Sequence, residues 1–135
     1  MKVPHKAMVV LADGTRCVIM RNTGQAFEPK LERVSELDLE LTNFSAGVRH
    51  QDPVGQRNGS TDLDELAHGA AIAEWLNKTT LNGEAEPLVI AADPKTLGQI
   101  RQHYGQQVQK RIAGELAKDL INSPIADIER ALVNA

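Results

Sequence analysis

Three groups of residues in this 135-residue chain have types and spacing suited to chemistry. The first lies in 42–60, TNFSAGVRHQDPVGQRNGS, which shows no apolar periodicity and contributes Arg49, His50, Gln56 and Arg57. Connections of about nineteen residues exceed the usual loop length in a compact domain, and those that exist commonly carry function. The second group is electrostatic. From Pro94 to Gly114 there is no acid, while Lys95, Arg101, Lys110 and Arg111 supply four cations and His103 adds a titratable ring. In a chain of net charge −3 that segregation suits contact with phosphates on RNA. The third is a pair of carboxylates, Asp13 and Asp93, each just past the end of an apolar run. On neighbouring strands they could hold Mg²⁺ for nuclease chemistry. Each also has a purely local explanation, Asp13 as a turn residue and Asp93 as a helix cap.

The elements that would position these groups follow from periodicity. Residues 88–92 (LVIAA) form a short apolar run that stops at Asp93-Pro94, after which Leu97, Ile100, Arg101 and Tyr104 recur at helical spacing. That pattern predicts a buried strand feeding a helix over 94–104, with Asp93 as the cap and Pro94 at the first helical position. Residues 7–12 and 15–22 are strand-like and flank Asp13-Gly14, a hairpin signal. In the second of these, Cys17 and Ile19 share one face with Arg21, and Val18 and Met20 share the other with Arg16. Cys17, the only cysteine, reads as a small core residue and excludes an internal disulfide and a multi-cysteine zinc site.

Residues 30–41 (KLERVSELDLEL) satisfy helical and alternating patterns alike. Glu28, Glu32, Glu36, Asp38 and Glu40 suit a solvated sheet edge. Ser60 or Thr61 caps a helix with Asp62, Asp64 and Glu65 in its first turn and an apolar stripe of Leu63, Leu66, Ala67, Ala70, Ala73 and Leu76. Trp75 falls at the margin of that stripe, His68 reads as a solvated helix residue, and Asn82-Gly83 closes the segment. Alternation of Ile112, Gly114 and Leu116 predicts a strand over 109–117, and Ser123-Pro124 a cap for a last helix carrying Ile125, Ile128, Leu132 and Val133.

Length and composition fit one domain over 1–135 with an aliphatic, alanine-rich core, aromatics being 3% of the chain. Lys2 and Lys6 precede an apolar run too short for a secretory signal, and no run is long enough to span a bilayer, so a cytoplasmic location is expected. His5, His50, His68 and His103 fall in no metal-ligand spacing, and no nucleophile elbow is present. Neither a metal nor a cofactor is expected.

VVLADGTRCVIMRN, LAHGAAIAEWLN, LVIAADPKTLGQIRQ and ELAKDLINSPIADIERAL together resemble the bacterial host attachment family, whose members are described as required for attachment to host cells. The likeness covers nearly the whole chain in order. A GRHA-like stretch common in that family is matched at Arg49 and His50 but not at Val48 or Gln51, and the family's KDL motif, at Lys118-Asp119-Leu120, is followed by Ile121 in place of threonine. That family in turn is similar to the middle domain of eukaryotic and archaeal class 1 release factors, in which a Gly-Gly-Gln loop ahead of a long helix assists peptidyl-tRNA hydrolysis. Val54-Gly55-Gln56 stands in the corresponding place, with one glycine missing and Pro53 alongside, so backbone freedom there is reduced.

The resemblance implies that 30–41 is a strand. It gives a mixed-sheet α/β domain of about five strands and three helices, opening on a hairpin. The expected function is a non-enzymatic cytoplasmic module that uses Arg49, His50, Arg57, Lys95, Arg101, Lys110 and Arg111 to meet RNA or the ribosome. One alternative is a peptidyl-tRNA hydrolase-like release factor in which Gln56 positions water. Another is a protein-binding factor that affects host attachment indirectly. No membrane partner is expected.

Overall fold

The computed structural model describes residues 1–37, 60–81 and 86–135, with side chains in the first long helix described over 67–79. The candidate loop residues Arg49, His50, Gln56 and Arg57, the Val54-Gly55-Gln56 motif and the Asn82-Gly83 stop all lie outside the described residues.

Five strands form one mixed sheet: β1 (Met8–Ala12), β2 (Cys17–Asn22), β3 (Leu31–Glu36), β4 (Leu88–Ala92) and β5 (Ile112–Ala117). Their spatial order is β3-β2-β1-β4-β5. β2 is antiparallel to both β1 and β3, while β4 is parallel to β1 and β5 is parallel to β4. Four strands thus run one way and β2 alone runs the other. The expected α/β architecture with an N-terminal hairpin is present.

Among the described residues four helices accompany the sheet: α1 (Ser60–Leu81), α2 (Pro94–His103), α3 (Gln106–Arg111) and α4 (Ile125–Val133). Alternation along the strands sorts the core into two layers. Val10, Ala12, Cys17, Ile19, Ile90 and Ala92 pack under Ile72, Leu76, Leu97, Ile100 and Val108 of α1, α2 and α3. Val9, Leu11, Val18, Met20, Val89 and Ala91 pack on the opposite face against Leu120, Ile128 and Leu132. β1 and β4 are buried along their whole length, as central strands covered on both faces must be. At the edge, β3 buries Leu31 alone and exposes the other five residues, Glu32 and Glu36 among them.

Small residues bring α1 close to α2. A Cβ added at Gly69 would stand 2.6 Å from the Gln99 Cβ, so a side chain there would push the helices apart.

Two expectations are corrected. Residues 109–111 belong to a helix, and the strand begins at Ile112, where pairing with Leu88 starts. Val108 is fully buried beneath α1 and α2, and one turn of helix-favouring glutamine, lysine and arginine fits between that anchor and the sheet. Ser123 also fails to cap α4: Pro124 occupies the cap position, with no side-chain bond, and its carbonyl accepts from the amides of Asp127 and Ile128. At the other end of α4, the amino group of Met1 donates to the carbonyls of Leu132 and Val133, both at 2.8 Å.

Candidate nucleic-acid interface

Four parallel strands place Asp13, Leu37, Asp93 and Lys118 at one edge of the sheet, beyond the strands' carboxyl ends. α1 starts there as well, because His68 in its first half lies against the β1–β2 turn while Trp75 and Thr79 in its second half lie near Met8 and Arg21. The chain therefore leaves β3 and enters α1 at this edge, and 38–59 connects the two.

Asp13 and Asp93 do end neighbouring strands, since Ala12 and Ala92 are register partners. Their carboxylates are nevertheless committed locally. Asp13 Oδ1 accepts from the amides of Thr15 (2.8 Å) and Arg16 (2.7 Å) and from the Thr15 hydroxyl (3.2 Å), which closes the hairpin. Burial pushes the Asp13 carboxyl up, but these donors and the nearby His68 outweigh it and hold the group below the usual carboxylate range. Asp93 Oδ2 accepts from the Thr96 amide at 3.1 Å as the α2 cap, with Pro94 opening the helix as the sequence predicts. Among the described residues no three His, Cys, Asp or Glu side chains gather where they could hold a metal ion.

His68 is less solvated than the sequence suggests. It is half-buried, and its Nε2 donates to the Arg16 carbonyl at 3.1 Å, which pins α1 to the hairpin. Arg16 reaches outward to Glu36 at 2.7 Å, and that ion pair lowers the Glu36 carboxyl. Cys17 is fully buried, and burial pushes its thiol up to about 12. It is a core residue with no reactive character.

The basic residues sit on α2 and α3, in the order that the strands dictate. α2 begins at the carboxyl edge beside Asp93 and, at about 1.5 Å per residue, carries the chain about 15 Å back along the sheet. Lys95 is therefore at one end of this surface, Arg101 lies further along, and Lys110 and Arg111 are at the far end, in the last turn of α3. Lys95, Arg101 and Lys110 are exposed, and Arg111 is half-buried. They form a strip along two helices.

The turn between those helices is fixed by Asn77 of α1. Its Nδ2 donates to the His103 carbonyl at 3.2 Å, and its Oδ1 accepts from the Gly105 amide at 2.7 Å. The half-buried Tyr104 side chain packs against the core at the same place.

Two features of this surface escape a reading of the sequence. Arg101 Nε donates to Glu115 Oε1 on β5 at 3.2 Å, so the first acid beyond the acid-free stretch folds back onto it. Burial raises the Tyr104 hydroxyl, the Glu115 charge adds to that, and Arg101 offsets part of it. The other feature is amide density. Gln99, Gln102, Gln106, Gln107 and Gln109 fall among the cations, and all but the half-buried Gln99 are exposed. Their recurrence is plain in the sequence, and only the helical placement gives it meaning.

A groove of about 340 Å³ lies elsewhere, between the β2–β3 loop and α4, and is lined by Phe27, Pro29 and Val133 together with Glu28 and Glu129. Arg130 also lines it, so two acids face one cation and the groove carries no excess positive charge for a polyanion. Phe27, exposed at 66%, belongs to that groove and not to the basic strip. Among the described residues no helix is long and apolar enough to cross a membrane.

Comparison with known proteins gives the lineage of this α/β domain. Residues 6–132 match the family model described as bacterial archaeo-eukaryotic release factor family 12, and the chain belongs to that family. It is also 34% identical over 77 residues to "Uncharacterized protein RP470" of Rickettsia prowazekii (strain Madrid E). The matched stretch is 53% of this chain and 51% of the relative, so the match spans about half the length of that curated protein. The release-factor side of the expected resemblance is thereby established.

Proposed function

We propose that this chain is a non-enzymatic binding module of the release-factor family that acts in the cytoplasm by contacting RNA or the ribosome. The observation that carries the reading is the strip on α2 and α3, where Lys95, Arg101, Lys110 and Arg111 stand without an acid between Pro94 and Gly114. Family membership supports a role near translation. Arg49, His50 and Arg57 belong to the same proposal, since β3 ends and α1 begins at the edge where Lys95 stands.

The test is co-sedimentation with ribosomes across a salt series. Association at low salt that falls steeply as salt rises is expected, and it should weaken when Lys110 and Arg111 are both changed to alanine. No association at low salt would refute the proposal.

A second reading follows from the family match. Gln56 would position water for hydrolysis of the ester in peptidyl-tRNA, as the Gly-Gly-Gln loop does in release factors. Release activity abolished by Gln56→Ala would establish it and displace the non-enzymatic reading. A link to host attachment, if the name of the resembled family applies, is indirect on either reading.

A further inference from the structure

The strip bears more amides than cations, and electrostatics alone gives those amides no task. Gln102, Gln106, Gln107 and Gln109 are exposed alongside Arg101 and Lys110. A glutamine side chain both donates and accepts, so it can hydrogen-bond a phosphate oxygen or a 2′-hydroxyl. What the strip lacks is equally informative. Reading single-stranded bases depends on aromatic rings against which the bases stack. The one aromatic of this strip, Tyr104, is half-buried and packs against the hydrophobic core beneath α1 and α2. Phe27 lies in the groove by α4.

The underlying surface is also stiff. α2 is capped by Asp93, the α2–α3 turn is fixed by Asn77, and Val108 anchors α3 in the core. A helical surface held in place by these contacts, with cations and amides exposed side by side, suits a wide, shallow groove edged by phosphates and hydroxyls. The A-form minor groove has that form, and the deep, narrow A-form major groove does not admit side chains.

The geometry points to the backbone and 2′-hydroxyls of double-helical RNA as the ligand of the α2–α3 strip, recognised by shape without reading sequence. This rests on the proposed function and specifies its RNA. Lys95, Arg101, Lys110 and Arg111 contact phosphates, and Gln102, Gln106 and Gln109 contact the sugar edge. Glu115 holds Arg101 in position and subtracts charge from the strip.

Fluorescence anisotropy with four probes tests this: an RNA duplex of about 20 base pairs, the DNA duplex of the same sequence, and each RNA single strand. The RNA duplex is expected to bind about tenfold more tightly than the single strands and severalfold more tightly than the DNA duplex. Changing Lys110 and Arg111 to alanine should reduce the slope of log K against log salt by about 2, near 0.9 for each phosphate lost. Changing Gln102, Gln106 and Gln109 to alanine should weaken RNA-duplex binding about fivefold while leaving that slope and DNA binding unchanged. Glu115→Gln should tighten binding to both duplexes about twofold by removing one like charge.

These substitutions are at exposed or half-buried positions, and thermal unfolding of each variant confirms that it folds. Single strands bound as tightly as the RNA duplex, or the DNA duplex bound as tightly, would overturn the inference while leaving the proposed function standing. No binding to any probe, together with no ribosome association, would overturn both.

Discussion

Replacing Asn22 with alanine should cost this fold more than any exposed substitution, because one buried amide joins three separate pieces of chain. Asn22 is fully buried at the end of β2. Its Nδ2 donates to the Val3 carbonyl at 2.9 Å and also lies 3.3 Å from the carbonyls of Pro4 and Gln25. Its Oδ1 accepts from the amides of Gly24 (2.8 Å) and Lys30 (3.0 Å). The side chain therefore ties the N-terminal arm to the β2–β3 loop. Its backbone adds two further bonds, from the Lys6 amide at 2.8 Å and to the Ala7 carbonyl at 3.0 Å, and Lys6 is held at a positive φ of 69° beside them.

Truncation to alanine strands the Gly24 amide and the Val3 carbonyl, while exposed Lys30 can turn to water. With a net value of about 1 kcal/mol for each good bond lost and a further 1–3 kcal/mol for an orphaned buried group, the expected loss is about 3 kcal/mol. For a chain of this size that corresponds to a fall in Tm of roughly 10–15 °C. Urea unfolding should show the midpoint moving with little change in m.

Asn22→Asp refines the test. The carboxylate keeps the acceptor for Gly24 and Lys30 but turns a charged oxygen toward the carbonyls of Val3, Pro4 and Gln25. Burial and those carbonyls both favour the protonated form, so the introduced carboxyl is raised in the folded state. The sign follows: the aspartate variant is least stable at neutral pH and regains stability as pH falls through that raised value, because the protonated acid can again donate to Val3. A loss below about 1 kcal/mol for alanine, or an aspartate variant whose deficit grows on acidification, would refute this account of the network.

Two other outcomes follow from packing and burial. Gly69→Ala places a Cβ 2.6 Å from Gln99 and should destabilise by about 1–3 kcal/mol through overpacking. Gly98→Ala meets nothing within 4 Å and should stabilise α2 by up to about 1 kcal/mol, and chemical unfolding compares the pair directly. The Cys17 thiol should resist aromatic disulfide reagents at pH 8 until the protein unfolds. Its folded value of about 12 lies above the ordinary value of 9.0, so folding favours the protonated thiol. Stability is then lost as pH rises from 9.0 through about 12, by up to roughly 4 kcal/mol, and Cys17→Ala should remove that component of the pH dependence.

Much of the architecture was legible because it depends on local rules. Asp13-Gly14 closes a hairpin through Asx bonds to the next two amides, and Asp93-Pro94 caps and opens α2, each from residues a few positions apart. The central strands announced themselves as continuous apolar runs, which two covered faces require. α3 was missed because six residues hold too few turns for a period, and its one anchor, Val108, carries no signal of burial by itself. Ser123 looks like a cap for α4, but its own amide donates to the Leu120 carbonyl, and Pro124 takes the cap position ahead of the helix start at Ile125. Asn22 was illegible for a related reason. An asparagine at a strand end looks like a turn residue, and only the assembled loops reveal that its five partners converge.

The basic strip lies between these cases, and the balance of its charge decides what it can bind. Four cations without an acid over twenty-one positions can be read from the sequence, but whether they act together depends on non-local placement. Folding does two opposing things. It aligns Lys95, Arg101, Lys110 and Arg111 along two helices held by Asn77, and it brings Glu115 from the neighbouring strand against Arg101. Glu115 against Arg101 offsets one of the four positive charges, so counterion release supplies only part of the attraction to a polyanion at physiological salt. In the inferred RNA contact the exposed glutamines would add hydrogen bonds, which survive screening that attenuates surface Coulomb attraction. A module built this way would bind RNA modestly and reversibly, and would gain selectivity from the shape and hydroxyls of its ligand more than from the number of phosphates it neutralises.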